Sequence, residues 1–129
     1  YDLMEIARRF ALLVTLFAGL SACARGSDAT AERFFLDIDR GDFQSATELF
    51  SPELHEKFGV EVLAAAVERL SAQMRAHGGV KSVRLRGGVV TFNQLALYDV
   101  MLNFGDGTVK SLQTSVVHID GEWRINTAL

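Results

Sequence analysis

From Gly79 onward the apolar residues of this chain recur with a period of two, and three glycine-bearing turns interrupt them: Gly87-Gly88, Gly105-Asp106-Gly107 and Asp120-Gly121. That alternation marks strands with one covered face, and such glycine turns between them are hairpin chemistry. A two-residue turn at Gly87-Gly88 pairs Leu85 with Val90 and Val83 with Phe92. A three-residue turn at Gly105-Gly107 pairs Phe104 with Thr108, Val100 with Leu112 and Tyr98 with Thr114. A two-residue turn at Asp120-Gly121 pairs His118 with Trp123, Val116 with Ile125 and Thr114 with Thr127. These choices put Val83, Leu85, Val90, Phe92, Tyr98, Val100, Leu102, Phe104, Leu112, Val116, Trp123 and Ile125 on one face. Asp99, Asn103, Ser111, Gln113, Ser115, Arg124 and Asn126 fall on the other. A slip of one residue would invert the pattern, so the agreement supports the register. The second strand, Val89 to Phe104, is long enough to need a bend at Asn93-Gln94.

Before Gly79 the period is helical. Ala31, Phe34, Phe35 and Ile38 form an i, i+3, i+4, i+7 stripe, which Arg40-Gly41-Asp42 stops while capping the next helix. Phe43, Ala46, Leu49 and Phe50 make a second short stripe. Ser51-Pro52 opens a third helix, Ser as N-cap and Pro in the first turn. Gly59 interrupts it, and Val60, Leu63, Ala64, Val67, Leu70 and Met74 form the longest stripe, ended by Gly78-Gly79. Helices with one apolar face, followed by a sheet with one apolar face, predict an α+β domain in which N-terminal helices cover a curved four-stranded antiparallel sheet.

The first residues read differently. Phe10 to Leu20 is an eleven-residue apolar run directly after Arg8 and Arg9. As a helix it would rise ~16 Å, about half of a ~30 Å hydrocarbon core, too short to span a membrane. A basic start, a short apolar stretch and small residues after it describe a secretory signal peptide. The run ends in Leu20-Ser21-Ala22-Cys23, which resembles the lipobox of bacterial lipoproteins, and Cys23 is the chain's only cysteine. The resemblance implies cleavage before Cys23 and attachment of acyl chains to it, and two or three such chains hold a protein on a membrane. It also implies a cell-envelope location. Ala24 in place of an Asp leans toward the outer membrane, periplasmic side, in a two-membrane cell. The expected organisation is therefore 1–22 signal peptide with lipobox, 23–28 lipidated Cys and tether, and 29–129 a globular domain.

Helices followed by a curved meander ending in Asp120-Gly121-Glu122-Trp123-Arg124-Ile125 resemble the nuclear transport factor 2-like superfamily, also called cystatin-like or SnoaL-like. The opening Glu32-Arg33-Phe34-Phe35 through Arg40-Gly41-Asp42-Phe43, with Ala46 and Leu49, is similar to its first helix, tight turn and second helix. The resemblance implies a cone between sheet and helices that holds ligands or, in the superfamily's enzymes, Asp, Tyr, His or Arg side chains. Phe34, Tyr98, Thr114, His118 and Trp123 are then the candidate pocket residues. Fold alone does not select a function in a superfold of this kind.

Tyr98 and His118 are the candidate catalytic pair, since a phenol and an imidazole in an apolar cavity can polarise a carbonyl and move a proton. The plainer alternative makes them amphipathic residues at the core edge. No inward carboxylate is expected beside them, because Asp99 faces outward. A net charge of −3 gives no electrostatic reason to expect nucleic acid. With three histidines and one cysteine, neither a metal site nor a disulfide framework is expected, and no cofactor motif is present. Leu97, Met101, Val109 and Val117 fall among the polar residues of the outer sheet face, a candidate homodimer or partner interface. The leading expectation is a non-catalytic envelope lipoprotein that binds a small apolar ligand or a protein partner. An envelope isomerase or hydrolase and an accessory subunit of a secretion or surface assembly are the alternatives.

Overall fold

The computed structural model describes residues 26–92, 94–127 and 129. The segment expected to be a signal peptide with a lipobox, and Cys23, lie outside these residues. Four helices precede four strands: α1 (Gly26–Arg40), α2 (Phe43–Glu48), α3 (Pro52–Phe58), α4 (Val60–Ala76), β1 (Val80–Val90), β2 (Leu95–Phe104), β3 (Val109–Ile119) and β4 (Glu122–Ile125). The strands form one antiparallel meander in the order β1-β2-β3-β4. The helices pack on one face of it, giving the expected α+β cone.

The expected stripe of α1 is the spine of the core: Ala31, Phe34, Phe35 and Ile38 have no exposed surface. The Phe34 ring sits edge-on to Phe35 and to Phe50, each with centroids 5.1 Å apart. Burying each of these side chains contributes about 2–3 kcal/mol. The α1 helix ends as its sequence requires. Gly41 N–H donates to the Ile38 carbonyl and Asp42 N–H to the Asp37 carbonyl, with Gly41 at φ +78°. This is the left-handed closure that glycine adopts at no steric cost. Asp42 then caps α2 by accepting from Ser45 N–H, and Ser51 caps α3 by accepting from Leu54 N–H. Ser51 also donates its hydroxyl to Asn126. Around it the chain adds a parallel rung beside β4: Ile125 N–H donates to the Leu49 carbonyl and Ser51 N–H to the Ile125 carbonyl, both at 2.7 Å.

The last two hairpins have the expected registers. Tyr98 lies opposite Thr114 and Val100 opposite Leu112, while His118 faces Trp123 and Val116 faces Ile125. The paired residues end at Val116 and Ile125; one more backbone bond runs from Asn126 N–H to the Ser115 carbonyl, and Thr127, expected opposite Thr114, instead accepts from Ser115 N–H through its side chain.

The first hairpin corrects the expectation. No turn forms at Gly87-Gly88; β1 runs through both glycines, and Leu85 pairs with Val100 and Val83 with Leu102. The reversal comes four residues later, where Thr91 N–H donates to the Leu95 carbonyl and Gln94 N–H to the Thr91 carbonyl. The glycines serve a close approach instead. A Cβ on Gly87 would sit 2.7 Å from the Leu97 carbonyl oxygen, and one on Gly88 would sit 2.5 Å from the Tyr98 ring. Both residues have φ near +90° and produce a bulge between Gly87 and Val90. Parity explains why half of the apolar set expected for the first hairpin survives. Val83 and Leu85 still point to the helices, but Val90 and Phe92 now stand on the hairpin tip, with Phe92 96% exposed.

Helix α1 starts earlier than expected. Gly26 to Asp28, read from the sequence as tether, form its first turn. The stripe extends back to Ser27, which is buried four residues before Ala31.

Candidate functional site

One end of the molecule gathers the start of α1, the β1–β2 turn and the β3–β4 turn. Here the cone would open. Tyr98 projects from the inner face of β2 and is 3% exposed. Its hydroxyl lies 2.7 Å from Ser27 Oγ and donates to the Asp28 carboxylate. The phenol pKa is raised above 10, first by burial and then by the hydrogen bond to Asp28. A carboxylate therefore does accompany Tyr98, contrary to expectation. It comes from the first turn of α1 rather than from the sheet, which is why the strand registers alone could not reveal it.

The other expected pocket residues take separate places. Thr114 is buried opposite Tyr98. Phe34 is sealed between Phe35 and Phe50 and has no accessible surface. Trp123 is half-buried and packs so closely under α1 that a Cβ on Gly26 would meet the indole Cδ1 at 2.3 Å. His118 lies against Trp123 with ring centroids 4.8 Å apart, and its Nδ1 bonds the Gln94 side-chain oxygen. Among the described residues no hydrogen bond joins Tyr98 to His118, so the two candidates stand in neighbouring but separate networks. Ser27, Asp28 and Gln94 complete those networks. Ser27 was discoverable by extending the α1 stripe one turn backward.

The interior side of the cone is occupied by its own side chains. Phe34, Phe35, Phe50, Leu63, Met74 and Leu102 are all buried to 2% exposure or less. Surface clefts lie elsewhere. One of about 350 Å³ on the outer sheet face is lined by Arg86, Leu97, Asp99, Gln113, Ser115 and Thr127 among others. Leu97 is 60% exposed there, with Met101 and Val117 half-buried on the same face and Val109 exposed near its far end. A second, apolar cleft of about 340 Å³ lies between α2 and α4, beside Phe43, Thr47, His55 and Val60.

At the opposite end His77, Asp106 and Thr108 form a surface cluster. Asp106 Oδ2 is 2.8 Å from His77 Nδ1, and Thr108 Oγ1 is 3.2 Å from that same nitrogen. A relay needs the two ring nitrogens to face different partners. Both contacts fall on Nδ1, and the Thr108 hydroxyl donates directly to Asp106 Oδ1 at 2.6 Å, so the imidazole does not bridge hydroxyl and carboxylate and the group closes the β2–β3 turn. Among the described residues no group of three or more His, Cys, Asp and Glu is placed to hold a metal ion. No described helix is long and apolar enough to cross a membrane.

Comparison with solved structures agrees with the cone. The chain superimposes with a TM-score of 0.66 on a Campylobacter jejuni protein described as an NTF2-like transpeptidase, at 20% identity, covering 78% of this chain and 96% of that one. The fold is thus nuclear transport factor 2-like. No family model matches the sequence, and no curated protein does.

Proposed function

We propose that this chain is a lipid-anchored envelope protein whose nuclear transport factor 2-like domain is a binding module presenting the outer face of its sheet to a protein partner. The observation that carries this reading is the contrast between the two faces. On the inner side the Tyr98 hydroxyl is spent on Ser27 and Asp28, and aromatic side chains fill the cone. On the outer side a cleft stands open beside exposed Leu97, and half-buried Met101 lies further along the same sheet face. Burying such apolar side chains is what makes an interface core. The lipobox at Leu20–Cys23 supplies the anchor, three residues before α1 begins.

The test uses the full chain expressed in a bacterial envelope. Cys23→Ala should move the protein from the membrane fraction to the soluble one, while Met101→Lys should leave it on the membrane but abolish its cross-linked partner. An unchanged membrane fraction for Cys23→Ala overturns the anchor. A cross-linked partner that survives Met101→Lys overturns the face.

The contact between Tyr98 and Asp28 favours a second reading, an enzyme with its site at the cone mouth. The solved relative described as a transpeptidase names one class of reaction for it. Acyl transfer through a covalent intermediate needs a nucleophile beside a base. The hydroxyl of Ser27 meets Tyr98, whose raised pKa keeps it a hydrogen-bond donor rather than a base. This reading requires the first turn of α1 to move, and turnover lost on Tyr98→Phe in a folded protein would establish it.

A further inference from the structure

The β1–β2 hairpin carries apolar side chains that nothing in the fold explains. Val89 is 79% exposed and Val90 49% at the end of β1, and Phe92 is 96% exposed in the turn that follows, where Thr91 and Gln94 are exposed too. The bulge at Gly87-Gly88 shifts the pairing of β1 just before these residues. We propose that this tip is a membrane wedge: Val89, Val90 and Phe92 enter the lipid interface beside the acyl anchor. The proposal rests on the anchored reading given above.

The contacts at this end show why the wedge and the anchor act together. Cys23 precedes Gly26 by three residues, a span of at most ~11 Å when extended. Gly26 lies on Trp123, Trp123 on His118, and His118 bonds the hairpin turn twice. Its backbone N–H donates to the Gln94 carbonyl at 3.0 Å and its ring meets the Gln94 side chain. An acyl group on Cys23 therefore holds this end, and not the Gly105–Gly107 end, against the bilayer. Tethering keeps the tip at high effective concentration near lipid, so even weak insertion is realised. The half-buried indole of Trp123 lies at this same end, and tryptophan is a residue favoured at membrane surfaces.

A second copy of the chain is the weaker occupant. Three side chains cannot supply the ~800 Å² per partner that a stable interface buries. The charges at this end, Asp28, Asp120 and Glu122 with Arg124 paired to Glu122, are mainly acidic. The contact is therefore apolar and needs no anionic lipid.

The experiment places tryptophan at the tip. Full-length Phe92→Trp and Val109→Trp proteins, both retaining Trp123, are reconstituted in phosphatidylcholine vesicles with or without brominated acyl chains. Val109 is the control, an exposed apolar side chain beside the turn at the far end. An interfacial element sinks ~5–10 Å into the headgroup boundary, so bromine should quench position 92 at least about twofold more than position 109. The difference should persist in added salt. Equal quenching at the two positions overturns the wedge, as does quenching at 92 that salt abolishes. A tip shielded from bromine with a doubled mass in detergent overturns it in favour of a second copy. The intact mass of the same sample reads the anchor separately. Quenching at 92 on a chain without acyl mass would overturn the anchored reading and keep the wedge; acyl mass without quenching would do the reverse.

Discussion

Tyr98 joins the middle of the sheet to the beginning of the first helix across 71 positions of sequence, through its hydroxyl on Ser27. Removing that oxygen strands the buried Ser27 hydroxyl and frees the Asp28 carboxylate. Tyr98→Phe should therefore lower stability by about 1–2 kcal/mol, read as a reduced urea midpoint with an unchanged slope. An unchanged midpoint would mean that the two bonds are exchanged for water at no cost. The sign of the pH effect follows from the raised pKa. The neutral phenol is the form the fold prefers, so its contribution is whole below about pH 10 and falls as pH climbs past that value. Tyr98→Phe should lack this alkaline loss. The residue also accounts for Gly88, since any larger side chain there would collide with the phenol ring.

The β2–β3 turn shows how an element carries its own chemistry. Asp106 accepts from the Thr108 hydroxyl and backbone N–H and faces His77, which together hold its carboxyl down to about 2. A lowered carboxyl pKa stabilises above the ordinary value near 4 and loses that contribution as pH falls toward 2. A carbon-detected titration should place the Asp106 carboxyl near 2, and Asp106→Asn should remove the loosening of this turn on acidification. A midpoint near 4 would show the cluster to be loose. This turn and the one at Asp120-Gly121 were legible in the sequence, because each has one spacing that keeps apolar residues on one side. The first hairpin was not. Gly87-Gly88 satisfies the torsional needs of a tight turn and equally those of a bulge pressed against an aromatic ring. Only the three-dimensional position of Tyr98 separates the two. The candidate site was legible in part for the same reason: Tyr98, Thr114 and His118 follow from strand parity, whereas Asp28 reaches Tyr98 from a helix turn that looks like linker.

For the whole molecule, Phe34 sits at the centre of the core. It touches both neighbours of its aromatic trio and has no accessible surface. Phe34→Ala should cost about 3–5 kcal/mol, a large part of the ~5–15 kcal/mol that holds a domain of this size together. Thermal unfolding should then begin tens of degrees lower, and a shift of only a few degrees would mean that the cone collapses to fill the space. The final strand has a consequence for how the chain comes to exist. Although β1 to β4 follow one another as a meander, Ile125 is bonded to Leu49 and Ser51, and Trp123 lies beneath Gly26. The helical half is thus synthesised first but closed last. Emerging helices can pack on one another and on β1, but the contacts of Gly26 with Trp123 and of Leu49 and Ser51 with Ile125 form only once β4 has been made, so a nascent chain halted before β4 would leave this seam open to chaperones.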